Sequence, residues 1–254
     1  MGYTRSAQST EMPQSVKPIM GTDPTIAIVV FCHGSLKNPT SPDLDEAWNV
    51  AYEGDAPLCR DHAEVGVRIA AANSRSCLVM SGSHTAATSK LSEGASYIAA
   101  AKYFEWWGHP AVKSRCLSAE GYDTRDNLIY GIASATQFLA GAPEMLVLVS
   151  FGFKAARVRL ISQSCWHKPM VFIPGCDPTP GERYRQAVEG EERVFRECSL
   201  NPLMIGSPWK EKRAQRNVLH SPLPRFDAAT DAYIDFLNGD GAGPMYPAPP
   251  TWSR

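Results

Sequence analysis

Neither sign of charge is in excess in this chain: 25 Lys and Arg stand against 26 Asp and Glu, a net charge of −1. A balance this even removes any general attraction to nucleic acid or to an anionic membrane. Runs of about 20 apolar residues are missing, so no spanning helix is expected. The segment 1–24 lacks the apolar core of a secretory signal. Paired cysteines are missing too. The seven cysteines, Cys32, Cys59, Cys77, Cys116, Cys165, Cys176 and Cys198, are scattered without a CxxC spacing. That excludes a cysteine-built metal site and fits reduced, mostly buried thiols in a cytoplasmic protein. GxGxxG, GxxxxGK[ST] and GxSxG do not occur, which sets aside the usual dinucleotide, P-loop and serine-hydrolase routes. HExxH is absent as well. His33 and His84 with Glu93, Glu120 and Asp123 therefore lack the spacing that marks a metal centre, and acid–base work without a metal fits these residues better.

What is present is an alternation of apolar runs and helical patterns. Thr25–Cys32 is continuously apolar and β-branched, the pattern of a strand buried on both faces. Further strands are expected at Ser76–Met80, Val112–Leu117, Met145–Val149 and Met170–Ile173. Helical spacing covers Leu58–Asn73, about Ser92 to Trp107, and Asp123 or Thr124 to about Leu139. Another helix carries Arg157 and Arg159. Strands alternating with helices at these lengths predict an α/β fold with a parallel, doubly wound sheet of about five strands. Leu36–Asp55 reads as an excursion longer than an ordinary βα loop. Residues 1–24 are expected as a loose arm and 25–238 as a single domain. Within that domain, 178–238 form a helical, basic extension, and 239–254 read as a Gly- and Pro-rich tail.

The polar residues follow the strands. His33-Gly34-Ser35 ends the first; Ser81-Gly82-Ser83-His84-Thr85, then Ser92-Glu93, follows the second; Glu120 to Asn127 follows the third; Ser150, Lys154 and Arg157 follow the fourth. A parallel sheet brings all four groups to one edge, where ligands bind in open α/β proteins. Singly, each group has a plain structural role. Glycine turns the chain, Ser and Thr cap helices, and Asp126 complements a helix dipole. Together they predict a site. The Gly34 and Gly82 loops can hold an anion through backbone N–H groups, with hydroxyls from Ser35, Ser83 and Thr85. Lys154 and Arg157 can neutralise it. Glu93, Asp123, Thr124, Asp126 and Asn127 can orient hydroxyls or an amine, and His33, His84 or Glu120 can move a proton. Trp106-Trp107 reads as packing rather than a stacking platform. The run Lys210–Arg216 reads as a solvated face, with a phosphate-gripping lid as the sharper alternative.

In series, these pieces resemble the ElyC/SanA/YdcF family of domains of unknown function, in its fungal-type cytosolic branch. The matching pieces are His33-Gly34, then Ser81-Gly82-x-x-Thr85 with Ser92-Glu93-x-x-Ser96-Tyr97, then Glu120-x-x-Asp123-Thr124-Arg125-Asp126-Asn127. Ser150-Phe151-x-Phe153-Lys154 with Arg157 follows, and last Lys212-Arg213-x-x-Arg216-Asn217. The resemblance runs roughly from Thr25 to Phe226. It implies a Rossmann-like three-layer α/β/α sandwich with a C-terminal helical extension. It also implies recurring polar positions at Gly34, Ser81, Gly82, Thr85, Ser92, Glu93, Glu120, Thr124, Asp126, Asn127, Lys154 and Arg157. Some members are thought to bind nucleotide-like molecules such as S-adenosylmethionine, and no common reaction is established across the family. Ser83-His84 departs from the pattern, where a second Gly and another polar residue are common, and marks His84 for a specialised role.

The expected function is group transfer or hydrolysis on a small anionic or nucleotide-like metabolite. Two alternatives stay open: a non-catalytic module that binds a nucleotide or S-adenosylmethionine, and an aminoacyl-tRNA-dependent transferase. The overall charge speaks against the second.

Overall fold

The computed structural model describes residues 23–51, 54–219, 222, 224–239, 250 and 252. The expected arm therefore lies almost wholly outside the described residues, as does most of the tail. The β-branched run becomes β1 (Ile26–Phe31), buried along its whole length. Then come a short hairpin of β2 (Gly34–Leu36) and β3 (Trp48–Val50), α1 (Ala56–Ala71) and β4 (Ser76–Ser81). The middle of the chain supplies α2 (Glu93–Tyr103), β5 (Cys116–Ala119), α3 (Thr124–Phe138) and β6 (Met145–Phe151). After these follow α4 (Ala155–Cys165), β7 (Met170–Gly175), α5 (Glu182–Leu200), α6 (Ser207–Arg216) and α7 (Ala228–Asn238).

Five strands form one parallel sheet in the order β5-β4-β1-β6-β7. Val29 at its centre stands opposite Val79 on one side and Leu148 on the other. Successive side chains of β1 point to opposite faces. Ala27, Val29 and Phe31 enter a core with Leu128, Ile129 and Ile132 of α3 and Ile161 of α4. Ile26, Ile28 and Val30 enter a second core with Ala63 and Val67 of α1 and Tyr97 and Ala100 of α2. Each fully buried Val, Leu or Ile contributes about 1.5–3 kcal/mol, so the central strand is anchored from both sides. These layers give the Rossmann-like α/β/α arrangement. Helix α2 lies so close to the sheet that a Cβ at Gly94 would sit 2.3 Å from the Met80 carbonyl oxygen. No helix among the described residues is long and apolar enough to cross a membrane.

Four elements differ from the sequence reading. The third strand starts later: residues 110–115 form a 3₁₀ turn, and Val112 is a core contact rather than a strand residue. Pro110 opens that turn with its fixed φ. The second helix stops at Tyr103, because Glu105, Trp106 and Trp107 adopt left-handed φ of 50°, 56° and 49°. Trp106 is buried there, as packing predicts. The 36–55 excursion holds the β2–β3 hairpin, too short to show a period. Finally, Trp252 of the tail is buried, donates from Nε1 to Thr230 Oγ1 at 3.2 Å, and meets Tyr233 edge-on.

Candidate functional site

The chain passes from β1 through α1 to β4 on one side, then returns from β5 through α3 to β6 on the other side of β1. Strand order thus reverses between β1 and β6, and connections leave their carboxyl ends in opposite directions. Such a switch point opens a crevice. A cleft of about 620 Å³ lies there. Nine of the residues singled out from the sequence line it: His33, Thr85, Glu93, Asp123, Thr124, Asn127, Ser150, Lys154 and Arg157.

At the switch point His33, just after β1, meets two residues from the end of β6. Ser150 Oγ lies 3.4 Å from His33 Nε2, and Lys154 Nζ lies 3.3 Å from His33 Nδ1. The His33 ring stacks on Phe151 at 4.5 Å between centroids. The Lys154 amine stands 4.9 Å from the Phe151 ring centre and 5.6 Å from that of Phe153. The surrounding protein disfavours both charged forms. Desolvation, with the nearby Arg157 charge, brings Lys154 down to about 7. Desolvation and the Lys154 charge hold His33 well below its ordinary value. A neutral imidazole that accepts from Lys154 at Nδ1 carries its proton on Nε2, directed at Ser150. Behind it, the buried His62 is pushed by desolvation to about 3.

Glu93 belongs to the same cleft. It occupies the first turn of α2, whose N-cap Ser92 accepts from the Ala95 amide at 3.1 Å. Thr85 donates to Glu93 Oε1 at 2.6 Å, yet burial raises the Glu93 carboxyl to about 7. A carboxylic acid, an imidazole and an amine that change protonation near or below neutrality share one crevice. Groups with these properties serve as general acids and bases.

Other predicted residues have structural work. Gly34 lies in the hairpin ladder opposite Val50, and a Cβ there would fall 2.9 Å from Cys59 Sγ. The expected anion cradle of Gly82 and Ser83 is not available, because their amides donate to the carbonyls of Ala119 and Gly121 at 2.8 and 3.0 Å. Ser81 Oγ donates to the Asn127 carbonyl at 2.9 Å, fixing α3 to β4. The Oγ atoms of Ser35 and Ser83 are buried without a hydrogen-bond partner. Asp126 pairs with its neighbour Arg125 at 2.7 Å. His84 Nδ1 faces Glu120 Oε2 at 4.0 Å, and neither residue lines the cleft. The structure therefore separates His84 and Glu120 from the His33 cluster.

The C-terminal extension also reaches the cleft, through the run that the sequence reading took as a solvated face with a phosphate-gripping lid as the alternative. Instead of a solvated face, α6 presents Arg213 to the interior, where its NH1 donates to Asp123 Oδ2 and to the Met204 carbonyl, each at 3.1 Å. Asp123 also caps α3, accepting from the Asp126 amide at 2.9 Å. Burial opposes its charge, but Arg125 and Arg213 hold it below the ordinary carboxylate value. Lys212 and Arg216, one helical turn apart, line the cleft, and Arg216 donates to the Tyr122 carbonyl at 3.0 Å. Arg157 is less free than expected. Glu191 of α5 grips it at 2.6 and 2.8 Å, and Thr124 Oγ1 accepts from its NH1. Lys154, Lys212 and Arg216 thus face the cleft without a carboxylate in ion-pair reach among the described residues.

Comparison with protein-family models, with curated proteins and with solved structures yields no match.

Proposed function

We propose that the protein is a cytosolic enzyme acting by group transfer or hydrolysis on a small anionic or nucleotide-like metabolite. The observation that carries this reading is the meeting, in one switch-point cleft, of three cations lacking carboxylate partners with the Glu93, His33 and Lys154 titrating set. Cations gathered without a direct ion pair repel one another, and a bound anion relieves that cost. Lys212 and Arg216 hold the anionic group, while Glu93 and the Lys154–His33 pair move protons. The ordered motifs that resemble those of ElyC/SanA/YdcF-like domains support a nucleotide-like ligand, S-adenosylmethionine among the candidates. The predominantly buried free cysteines support a reducing compartment. A tRNA-dependent reaction gains no support, because Arg213 of the basic stretch points inward.

The test is a thermal-shift panel of inorganic phosphate, AMP, ATP and S-adenosylmethionine, with mass spectrometry of any compound that copurifies. Stabilisation by an anion that disappears in the Lys212→Ala/Arg216→Ala double variant supports the reading. Indifference to every compound, together with an empty mass spectrum, overturns it. Unchanged ligand after long incubation at high protein concentration would favour a binding module over an enzyme.

A further inference from the structure

We propose that Lys154 is an amine nucleophile that forms an imine with the carbonyl carbon of a small anionic aldehyde or ketone. This rests on the reading of the cleft as an anion site and adds the covalent chemistry. A lysine that only supplies charge pairs with a carboxylate or extends into water. Lys154 does neither: its Nζ lies against the rings of Phe151 and Phe153 and 3.3 Å from an imidazole nitrogen. Arg157 and Arg216 add like charge to its surroundings, offset in part by Glu191 and Glu93. An apolar wall and cationic neighbours are the two environments that free a lysine amine for attack on a carbonyl. The lowering of Lys154 to about 7 agrees with this geometry.

The neighbours complete the chemistry. In attack, the Nζ lone pair forms the C–N bond and the carbonyl π pair moves to oxygen. The nitrogen then loses one proton to His33 Nδ1, which passes it to that oxygen and gives the neutral carbinolamine. The Glu93 carboxyl protonates the carbinolamine hydroxyl, which leaves as water while the nitrogen lone pair forms the C=N bond, and the remaining N–H proton returns to the Glu93 carboxylate. Atoms and protons then balance as amine plus carbonyl giving imine plus water, with His33 and Glu93 restored. His33 is held for its part by the Phe151 stack and Ser150. Glu93 is positioned by Thr85 at 2.6 Å. Lys212 and Arg216 hold the anionic end of the substrate on the α6 side of the cleft.

The probe is pyridoxal 5′-phosphate, a phosphorylated aldehyde, incubated with the full chain at pH 7.5 and trapped with borohydride before peptide mapping. Lys154 is expected to be modified about ten-fold or more faster than the exposed Lys37, Lys90 and Lys113. Glu93→Gln is expected to slow trapping by about ten-fold or more, through loss of a general acid. Lys154→Arg should abolish selective trapping, with Lys154→Met as the second variant if Arg perturbs folding. Modification of Lys154 at the rate of the exposed lysines, while phosphate still stabilises the protein, overturns the imine and leaves the anion site standing. Selective trapping without any phosphate effect keeps the imine and removes the anion site.

Discussion

Glu93 is held by Thr85 at the mouth of α2, and burial lifts its carboxyl from 4.5 to about 7. Because the folded chain holds this proton more tightly than the unfolded one, its contribution to stability falls as pH rises from 4.5 to 7. Glu93→Gln keeps an acceptor for Thr85 and cannot ionise. The variant should therefore gain on the wild type through that window, by up to about 3 kcal/mol above it, at 1.36 kcal/mol per unit. Denaturant melts at pH 5 and pH 8 measure this gain, and an unchanged difference between the two would contradict a buried, raised carboxyl. His62 acts in the opposite direction. Its folded value of about 3 lies below the ordinary 6.5, so stability is present above 6.5 and is lost as pH falls toward 3. His62→Leu removes a proton acceptor enclosed by Phe151 and Gly175. Relative to the wild type, it should gain up to about 2 kcal/mol between pH 7 and pH 5, seen as acid unfolding displaced to lower pH.

Gly94 sets how closely α2 approaches β4, and the nearest obstruction to a Cβ is the Met80 carbonyl, part of the backbone. Gly94→Ala should cost about 1–3 kcal/mol by overpacking, despite the better helix propensity of Ala. The same displacement would carry Glu93 off its place, so the pH-dependent gain of Glu93→Gln should shrink in the Gly94→Ala background. Such packing leaves little trace in a sequence. The long apolar strands were legible because burial on both faces forbids polar residues; the three-residue strands β2 and β3 are too short to show any period. Val112 read as the start of a strand because an apolar residue shortly after a proline looks alike in a strand and in a 3₁₀ turn. The helix starts at Ser92 and Asp123 were legible from their caps. The helix end at Tyr103 was not, since left-handed aromatic residues carry no local signal.

At the scale of the molecule, α6 is tied to the sheet edge through Arg213 and Asp123, both buried. Arg213 does not line the cleft, but it places Lys212 and Arg216 there. Arg213→Ala should cost about 3 kcal/mol by leaving the Asp123 charge buried. It should also weaken the thermal stabilisation by phosphate, although no group that contacts the anion has been removed. The site was half legible for this reason. Strand ends announce themselves by topology, so His33, Glu93, Ser150 and Lys154 were found. A charge that arrives from a distant helix does not announce itself, and the hydrogen bonds that occupy the Gly82 and Ser83 amides are visible only in three dimensions. The contact of His33 with Ser150 joins residues 117 positions apart, across the pairing of β1 with β6. Until β6 emerges and docks, β1 can pair only with β4 and keeps an open, wholly apolar edge. Closing so long a loop is entropically slow, so the His33–Ser150 contact is assembled late in folding, and the nascent first half of the chain is the stage most in need of protection from aggregation.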